Sequence, residues 1–468
     1  MLSISDVRPN RVCQGYTRRE FLRVGALGCG GLSLSDLLAS KASAANTGVP
    51  ITGKSIVLLF LQGGPPHIEF FDPKMTAPAT ICSITGEIKT RTPGVTIGGT
   101  FPKLAAMTDK FSLVRSYGSK NSGHTYDSVT TGRNEIKAAM GAVYSRAVGT
   151  TSSTGMPTNT LILPEAIQTG LKLGSNFETG ALPTLTTPGQ LGKSYDAFNP
   201  AGGGKLKEDM ELKVTADRLL DRRGLLSSLD NMRRGIDASG VMDSSTEFQQ
   251  QAFDVLSGSV AQAFDLSKED PRVLARYDTT HLFDAKKLQR WGDMRRTTNL
   301  LGHQMLLARR LCEAGCGFVT VSDCGWDYHA NGNSPKNMAG IWPMGGQVDH
   351  AVSAFIEDVA ARGLTDDILL IVTGEMGRSP RLNGNGGRDH YGELTSLLIS
   401  GGGLKMGQVI GESNAYAERP ATRPYDPSHL HATVMNTLFD VGQLRVDPGS
   451  ASDVLNIIAE GSPITELF

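Results

Sequence analysis

The feature that most constrains the fold is a continuous apolar run, KSIVLLFL at residues 54–61, which ends in the turn residues QGGPP. A strand that is apolar at successive positions suits a parallel sheet buried on both faces. Similar short runs recur along the chain, at residues 111–115, 160–163, 317–322, 368–373 and 395–400. Apolar residues at helical spacing fill residues 343–362, just before one of these runs. The alternation predicts an α/β fold with a doubly wound, mostly parallel sheet.

The middle of the chain has a different character. Residues 205–312 are rich in charge and carry apolar residues at helical spacing, which predicts a helical insertion within one large domain over residues 46–468. Its Arg and Asp pairs indicate a solvated face. Residues 183–205, with three glycines at 202–204, are typical of a loop or linker.

The N-terminus has the features of a targeting signal. TRREFLR at residues 17–23 is a twin-arginine pattern, followed by the small apolar run VGALGCGGL and by ASA at residues 42–44, a suitable cleavage site. We therefore expect residues 1–45 to be a signal peptide that is removed, and the mature protein to be exported and periplasmic or secreted. A short amphipathic helix is the alternative. No later run approaches the roughly 20 apolar residues of a transmembrane segment.

Charge and cysteine content exclude several classes of protein. The chain has 46 basic and 47 acidic residues, mixed along its length, which argues against binding to nucleic acid. Without the leader, the cysteines are Cys82, Cys312, Cys316 and Cys324. Four cysteines in a chain of this length do not make a disulfide framework, although one disulfide remains open. Cys312 and Cys316, four residues apart, suit either ordinary packing, a bridge or a metal.

Polar side chains follow four of the predicted strands. Ligands in doubly wound sheets bind beyond the carboxyl ends of the strands, so these loops are the candidate site. The loops carry, in chain order, Gln62, His67, Glu69 and Asp72; Ser122, His124, Thr125 and Asp127; Asp323, Asp327 and His329; and Glu375, Arg378, Arg388, Asp389 and His390.

One carboxylate and two imidazoles form the strongest set. Asp327, His329 and His390 suit Zn²⁺ or Mn²⁺ and leave coordination positions open for water or substrate. Asp323 and Glu375 could supply further oxygens. Asp389 or a backbone carbonyl could orient an imidazole from outside. The alternative for each histidine is a hydrogen-bonded structural role.

The loop at residues 374–391 also carries groups that bind anions. Arg378 and Arg388, with the glycines of residues 383–387, could place guanidinium and backbone N–H groups around an oxyanion. A flexible surface loop is the alternative interpretation.

Several motifs together resemble a known family. They are, in order, QGG at 62–64 with FDPK at 71–74, WDYH at 326–329, GEMGRSP at 374–380, GRDH at 387–390 and GGG at 401–403. With the twin-arginine leader, they resemble the exported bacterial family called domain of unknown function 1501, a branch of the alkaline-phosphatase-like superfamily. The resemblance implies an alkaline-phosphatase-like fold. Relatives such as cofactor-independent phosphoglycerate mutases, nucleotide pyrophosphatases and sulfatases hold one or two metals at these strand ends.

The resemblance also suggests roles for single residues. Asp327, His329 and His390 look like the ligands of one metal. Ser122 lies nine residues before a Thr-Gly pair, the spacing at which relatives carry their nucleophile, and His124, Thr125 and Ser128 compete with it.

The second metal site departs from the family pattern. Relatives end their first strand in a ligating Asp, where this chain has Gln62, and their penultimate strand in D-H-G, where it has Met376 in place of the His. Methionine cannot replace an imidazole for a hard ion, and glutamine is a neutral, weaker ligand than a carboxylate. A conventional two-metal site is therefore disfavoured. The C-x-P-S-R motif for formylglycine is also missing from the sequence, which disfavours an ordinary sulfatase.

These observations predict an exported, metal-dependent hydrolase that acts on a small-molecule or oligomeric phosphate, sulfate or phosphonate ester. A divalent ion would polarise the ester, and Ser122 or an activated water would attack. Arg378 or Arg388 would hold the developing charge, and Glu375 would act as ligand or base. The alternative is a catalytically degraded binding or scaffold protein that retains the fold.

Overall fold

The first apolar run lies at the centre of a seven-stranded sheet. The computed structural model describes residues 49–152, 155–168, 170–201, 260–446 and 454–468. The predicted signal peptide, the glycines at 202–204 and the predicted insertion as far as residue 259 lie outside these ranges. All described residues belong to one compact unit.

The strands are mostly short, and the longest of them match the apolar runs. Within the described ranges they are β1 (Ser55–Gln62), β2 (Glu87–Lys89), β3 (Thr96–Gly98), β4 (Ser112–Val114), β5 (Asn159–Ile162), β6 (Phe318–Cys324), β7 (Ile368–Thr373), β8 (Gly377–Arg378), β9 (His390–Tyr391), β10 (Leu398–Gly401) and β11 (Val409–Ile410). Each of the six predicted runs overlaps one strand of the central sheet.

The central sheet has the order β11-β4-β10-β7-β1-β6-β5. β1 pairs in parallel with β6 and β7, β5 with β6, and β11 with β4. β10 is antiparallel to both of its neighbours. The prediction of a mostly parallel sheet is therefore confirmed. β11 was not predicted, because a strand of two residues is too short to show a pattern in the sequence.

Side chains of β1 alternate between two cores, as the period of two in a strand requires. Ile56, Leu58 and Phe60 belong to one core, and Val57 and Leu59 to the other. All are almost completely buried. The sheet is thus covered on both faces, which confirms the doubly wound α/β prediction.

Helices supply both covering layers. The described helices are α1 (His67–Phe70), α2 (Pro102–Ala105), α3 (Asp127–Thr130), α4 (Met140–Val148), α5 (Phe177–Ala181), α6 (Val260–Phe264), α7 (Pro271–Tyr277), α8 (Ala285–Gln289), α9 (Leu301–Glu313), α10 (Ile341–Ala361), α11 (Pro427–Leu438), α12 (Val441–Val446) and α13 (Leu455–Ala459). α9 and α10 pack on the Val57 face, whereas α4 and α11 pack on the Ile56 face.

Five of the described helices lie in segments that the sequence predicts to be helical. The helix predicted over residues 343–362 is α10. The described end of the predicted insertion contains α6 to α9, and α9 packs directly against β6 and β1. α9 is therefore one of the helices that cover the sheet.

The described part of the chain shows whether the cysteines form a disulfide and whether a helix could span a membrane. Cys82, Cys312, Cys316 and Cys324 are all free thiols, so no disulfide joins them. None of the described helices is long and apolar enough to cross a membrane.

Candidate metal centre

Four loops meet at the carboxyl edge of the sheet. β1, β6 and β7 are mutually parallel, and β4 runs in the same direction as β7 because both are antiparallel to β10. The loops after these strands therefore leave from the same edge. They carry the candidate residues of the sequence.

Two local features bring the loops into contact. β8 and β9 form a small hairpin in which Arg378 pairs with His390. The side chains of both residues therefore reach Asp327. In the loop after β1, Gly63 has a φ of +113°, and a Cβ there would lie 2.6 Å from the Asp327 backbone N. Only glycine allows this loop to pack so closely on the Asp327 backbone.

Asp327 is the centre of the site and is 5% exposed. Its Oδ1 lies 3.2 Å from His329 Nε2 and 3.3 Å from His390 Nε2. Its Oδ2 lies 3.6 Å from His124 Nε2. Arg378 also binds the carboxylate. Burial by itself would raise the pKa of Asp327, but the Arg378 guanidinium and the imidazoles hold that pKa well below its usual range.

Each imidazole is held from the outside through its Nδ1 atom. The contacts are His390 to the Ser122 carbonyl at 3.0 Å, His329 to Asp389 Oδ1 at 2.8 Å, and His124 to Glu375 Oε1 at 2.9 Å. The Ser122 carbonyl can only accept a hydrogen bond, so His390 Nδ1 carries a proton. A neutral imidazole that is protonated at Nδ1 directs its Nε2 lone pair toward Asp327, an orientation typical of metal-ligating histidines.

The spacing of these atoms fits a divalent metal. Bonds of the length found in zinc sites put two tetrahedral ligand atoms about 3.3 Å apart. The separations between the Asp327 oxygens and the Nε2 atoms lie between 3.2 and 3.6 Å. Ligand atoms of His124, Asp327 and His390 all lie within 4.8 Å of one another. The donor set of imidazole and carboxylate suits Zn²⁺ or Mn²⁺.

Protons hold this arrangement together in the metal-free chain. Burial lowers the pKa of His124, but hydrogen bonds to Asp327 and Glu375 outweigh burial and raise that pKa to about 9. A charged His124 offsets the two carboxylates that flank it. Metal binding has to displace such a proton, as it does in other histidine sites.

Asp323 lies outside the cluster, although the sequence suggested it as a ligand. It is 1% exposed, and its Oδ2 accepts a hydrogen bond from Trp326 Nε1 at 2.8 Å. Burial raises its pKa to about 7. Its side chain is buried and bound to Trp326, and it is not among the ligand atoms that cluster around Asp327.

The two arginines are already occupied inside the protein. Arg378 donates to Asp327 and to the backbone carbonyls of Gly63, Gly64 and Arg388. It therefore fixes Asp327 and the loop after β1, and the structure does not aim it at an oxyanion.

Arg388 is likewise fully buried and contacts none of the cluster side chains. It binds Glu69 Oε1 through Nε at 3.0 Å and Nη2 at 2.9 Å, and its remaining donors reach backbone carbonyls. The expected oxyanion role of Arg388 does not match this geometry, because all sides of the guanidinium are satisfied by the protein itself.

Ser122 and Glu375 orient two histidines of the site. The Ser122 residue is exposed, and its carbonyl binds His390. Glu375 is completely buried and accepts hydrogen bonds from His124 and from the Gly63 N–H at 2.9 Å. Glu375 thus joins the loops after β1, β4 and β7 and orients His124.

The sequence did not identify Phe177 as part of the site. Its ring stacks on His124, with ring centroids 3.9 Å apart. The capping box at Asn176 marks the start of α5, but nothing local in the sequence indicates the contact with His124.

Within the described residues, Gln62 and Met376 do not contribute to a second metal site. Gln62 Oε1 accepts a hydrogen bond from Cys324 Sγ at 2.7 Å, and Met376 is completely buried. A neutral amide, a thiol and a thioether do not suit a second hard ion.

The site and the fold define an α/β protein with one histidine and aspartate centre at the strand ends. The chain belongs to the family described as "Protein of unknown function (DUF1501)", whose model matches residues 53–453. No curated protein sequence matches it.

Several solved structures show distant similarity. The phosphonate monoester hydrolase SpPMH from Silicibacter pomeroyi is 12% identical with a TM-score of 0.31, and 82% of this chain and 73% of that chain are covered. The PsFucS1 sulfatase from Pseudoalteromonas sp. is 13% identical with a TM-score of 0.30, at coverages of 85% and 69%. The lipoteichoic acid synthase LtaP from Listeria monocytogenes is 10% identical with a TM-score of 0.31, at coverages of 89% and 81%. The fold assignment therefore rests on the sheet topology itself.

Proposed function

We propose that the protein is an exported, metal-dependent hydrolase of phosphate, sulfate or phosphonate esters, with a small-molecule or oligomeric substrate. The observation that carries the proposal is the orientation of three imidazoles, each held at Nδ1 and aimed through Nε2 at Asp327. The family resemblance of the sequence supports the ester class.

Asp327, His390 and His124 would hold the ion, with His329 as a further ligand. Zn²⁺ or Mn²⁺ bound there supplies Lewis acidity toward an ester oxygen. Arg378 keeps Asp327 ionised and in place. Glu375, Asp389 and the Ser122 carbonyl keep the Nδ1 protons in position, so that the opposite nitrogens stay free to bind.

The substrate can approach from the histidine side of the site. The side chains of His124, His329 and His390 are 17%, 21% and 25% exposed, whereas that of Asp327 is only 6% exposed. Ser122 lies at this open side, next to His390. Its hydroxyl is the proposed nucleophile, with water as the alternative.

Metal content and turnover test the proposal together. We expect about one transition metal ion per chain in protein purified without chelator, and hydrolysis of at least one nitrophenyl phosphate, sulfate or phosphonate ester. Asp327→Asn should lose the metal and the activity, while Asp323→Asn should keep both, because Asp323 faces Trp326. A chain that takes up neither Zn²⁺ nor Mn²⁺ on titration would overturn the metal site.

A binding or scaffold protein is the second candidate. The neutral Gln62–Cys324 contact and the buried Met376 favour it, because they replace half of the two-metal site that relatives use. This candidate predicts a bound ion without turnover of any ester in the panel. Ester hydrolysis, measured on protein of equal metal content, therefore distinguishes the two functions.

Export is part of the proposal and rests on the twin-arginine pattern at residues 17–23. A protein exported by this route folds first, so the metal can be loaded before transport. Replacing Arg18 and Arg19 by Lys together should retain the full-length protein in the cytoplasm. Unchanged export of this double variant would remove the proposed pathway and leave the enzymatic proposal intact.

A further inference from the structure

Two neighbouring cavities lie at the amino edge of the sheet, opposite the candidate metal centre. Lys110 lines both of them and lies two residues before the start of β4. Ile368, the first residue of β7, lines one of them. Their ligand therefore cannot be the substrate held at the carboxyl edge, and any role they have is separate from the proposed hydrolysis.

The first cavity has a volume of about 420 Å³ and a basic lining. Its charged residues are Arg91, Lys103, Lys110, Arg276 and Glu357. Four cations against one carboxylate leave the described lining strongly positive.

Two of these cations have nearby partners within the protein. Arg91 lies 3.7 Å from Asp109, and Lys103 Nζ lies 2.8 Å from His350 Nδ1. Among the residues that the structure describes, Lys110 and Arg276 form no ion pair within 4 Å. The cavity therefore favours an anionic group.

The second cavity has a volume of about 290 Å³ and is mainly apolar. Its apolar lining residues are Phe355, Ile356, Val359, Ile368, Leu370 and Met406. The polar residues Asp109, Thr365 and Ser400 also contribute. An apolar cavity of about 150 Å³ is already large enough to bind a benzene-sized molecule.

α10 connects the two cavities. Its residues Ser353, Ala354 and Glu357 line the basic cavity, and Phe355, Ile356 and Val359 line the apolar one. With Lys110 shared, a cationic cavity adjoins an apolar cavity along one helix. This pairing matches a molecule that has a charged end and a hydrocarbon end.

We propose that the two cavities together bind a single-chain amphiphile with an anionic head, the head in the basic cavity and the chain in the apolar cavity. Lys110 and Arg276 would pair with the head, and the buried side chains of α10 and β7 would contact the chain. The positive charge of the first cavity and the apolar lining of the second favour this occupant.

Decane-1-sulfonate is a suitable probe, because it carries a permanent negative charge and contains no ester bond that the proposed hydrolase could cleave. Titration calorimetry below its micelle concentration should show saturable binding of one molecule per chain. Decan-1-ol and inorganic sulfate should each bind at least about tenfold more weakly, since each engages one cavity alone. Equal binding of decan-1-ol and the sulfonate would overturn the role of the basic cavity.

Variants on α10 test the location. Ala360 lines the apolar cavity and is exposed, and Ala361 follows it without lining that cavity. Ala360→Phe should weaken sulfonate binding about tenfold or more by filling the cavity, whereas Ala361→Phe should leave it unchanged. Identical affinities of these two variants would overturn the proposed chain position.

The head position has its own matched pair. Lys110→Gln should weaken binding about tenfold, whereas Lys287→Gln, which removes an exposed charge on α8, should have no effect. Binding should persist in Asp327→Asn, because the metal centre lies at the other edge. Loss of binding in Asp327→Asn would place the probe at the metal centre and refute the proposal.

Discussion

Asp389 Oδ1 lies 2.8 Å from His329 Nδ1, on the side of the ring opposite Asp327. This contact sets the orientation of an imidazole whose Nε2 faces the centre of the site. Because 59% of the Asp389 side chain is exposed, the contact can be removed without disturbing the core. Replacing Asp389 can therefore change the metal affinity without changing the stability of the protein.

Asp389→Ala should weaken metal binding about 10- to 100-fold, since outer partners of ligating histidines have effects of this size. The melting temperature of the metal-free protein should stay the same. Competition with a chromophoric chelator measures the affinity. The exposed Asp366→Ala is the control, and equal affinities of the two variants would show that His329 takes no part in binding the ion.

Arg388 is predicted to act on stability. Arg388→Met leaves the completely buried Glu69 without its guanidinium partner, which costs about 3–5 kcal/mol in typical buried ion pairs. Denaturant unfolding should show this loss, and adding Glu69→Gln should recover part of it. Ser122→Ala, at an exposed position, should unfold like the wild type. A stable Arg388→Met protein without activity would instead restore an oxyanion role.

Gly63 is predicted to be necessary for the metal centre. Gly63→Ala places a Cβ 2.6 Å from the Asp327 backbone N, in addition to the strain of a positive φ. Gly53 also has a positive φ, of +79°, but a Cβ there meets nothing within 4 Å. Gly53→Ala should therefore cost only the backbone strain of about 1–2 kcal/mol and retain the ion. Gly63→Ala should be less stable and should lose metal. Equal metal content in the two variants would contradict a role for this close approach.

The sequence predicted the sheet because buried parallel strands have a distinct pattern. The run at residues 54–61 forms β1, the central strand, and the residues after it and after β6 and β7 meet at one edge. Asp327 and His390 could therefore be predicted as residues of the site, since strand ends converge in any sheet of this kind.

The contacts of the arginines could not be predicted in the same way. Arg388 and Glu69 lie 319 residues apart in the chain, and no local pattern joins them. A guanidinium in a polar loop has the same sequence signature whether it faces an oxyanion or a buried carboxylate. The stacking of Phe177 on His124 is likewise a property of tertiary packing alone.

Glu178 gives the protein a specific dependence on pH. It is 1% exposed, and its Oε1 accepts a hydrogen bond from the Gly325 N–H at 2.9 Å. Burial raises the pKa of Glu178 from 4.5 to about 8. The folded chain therefore holds this proton more tightly than the unfolded chain. The resulting stabilisation is complete below pH 4.5 and is lost as the pH rises through about 8.

Glu178→Gln should remove the loss of stability at high pH, because the amide keeps the shape of the acid and stays neutral. One pKa unit corresponds to about 1.4 kcal/mol, so at pH 9 the variant should be more stable than the wild type by up to a few kcal/mol. Near pH 5 the two proteins should differ little. Thermal unfolding of metal-free protein from pH 5 to 9 measures the effect, with the exposed Glu357→Gln as the control. If the melting temperatures of the wild type and Glu178→Gln change with pH in the same way from pH 5 to 9, Glu178 is ionised in the folded protein.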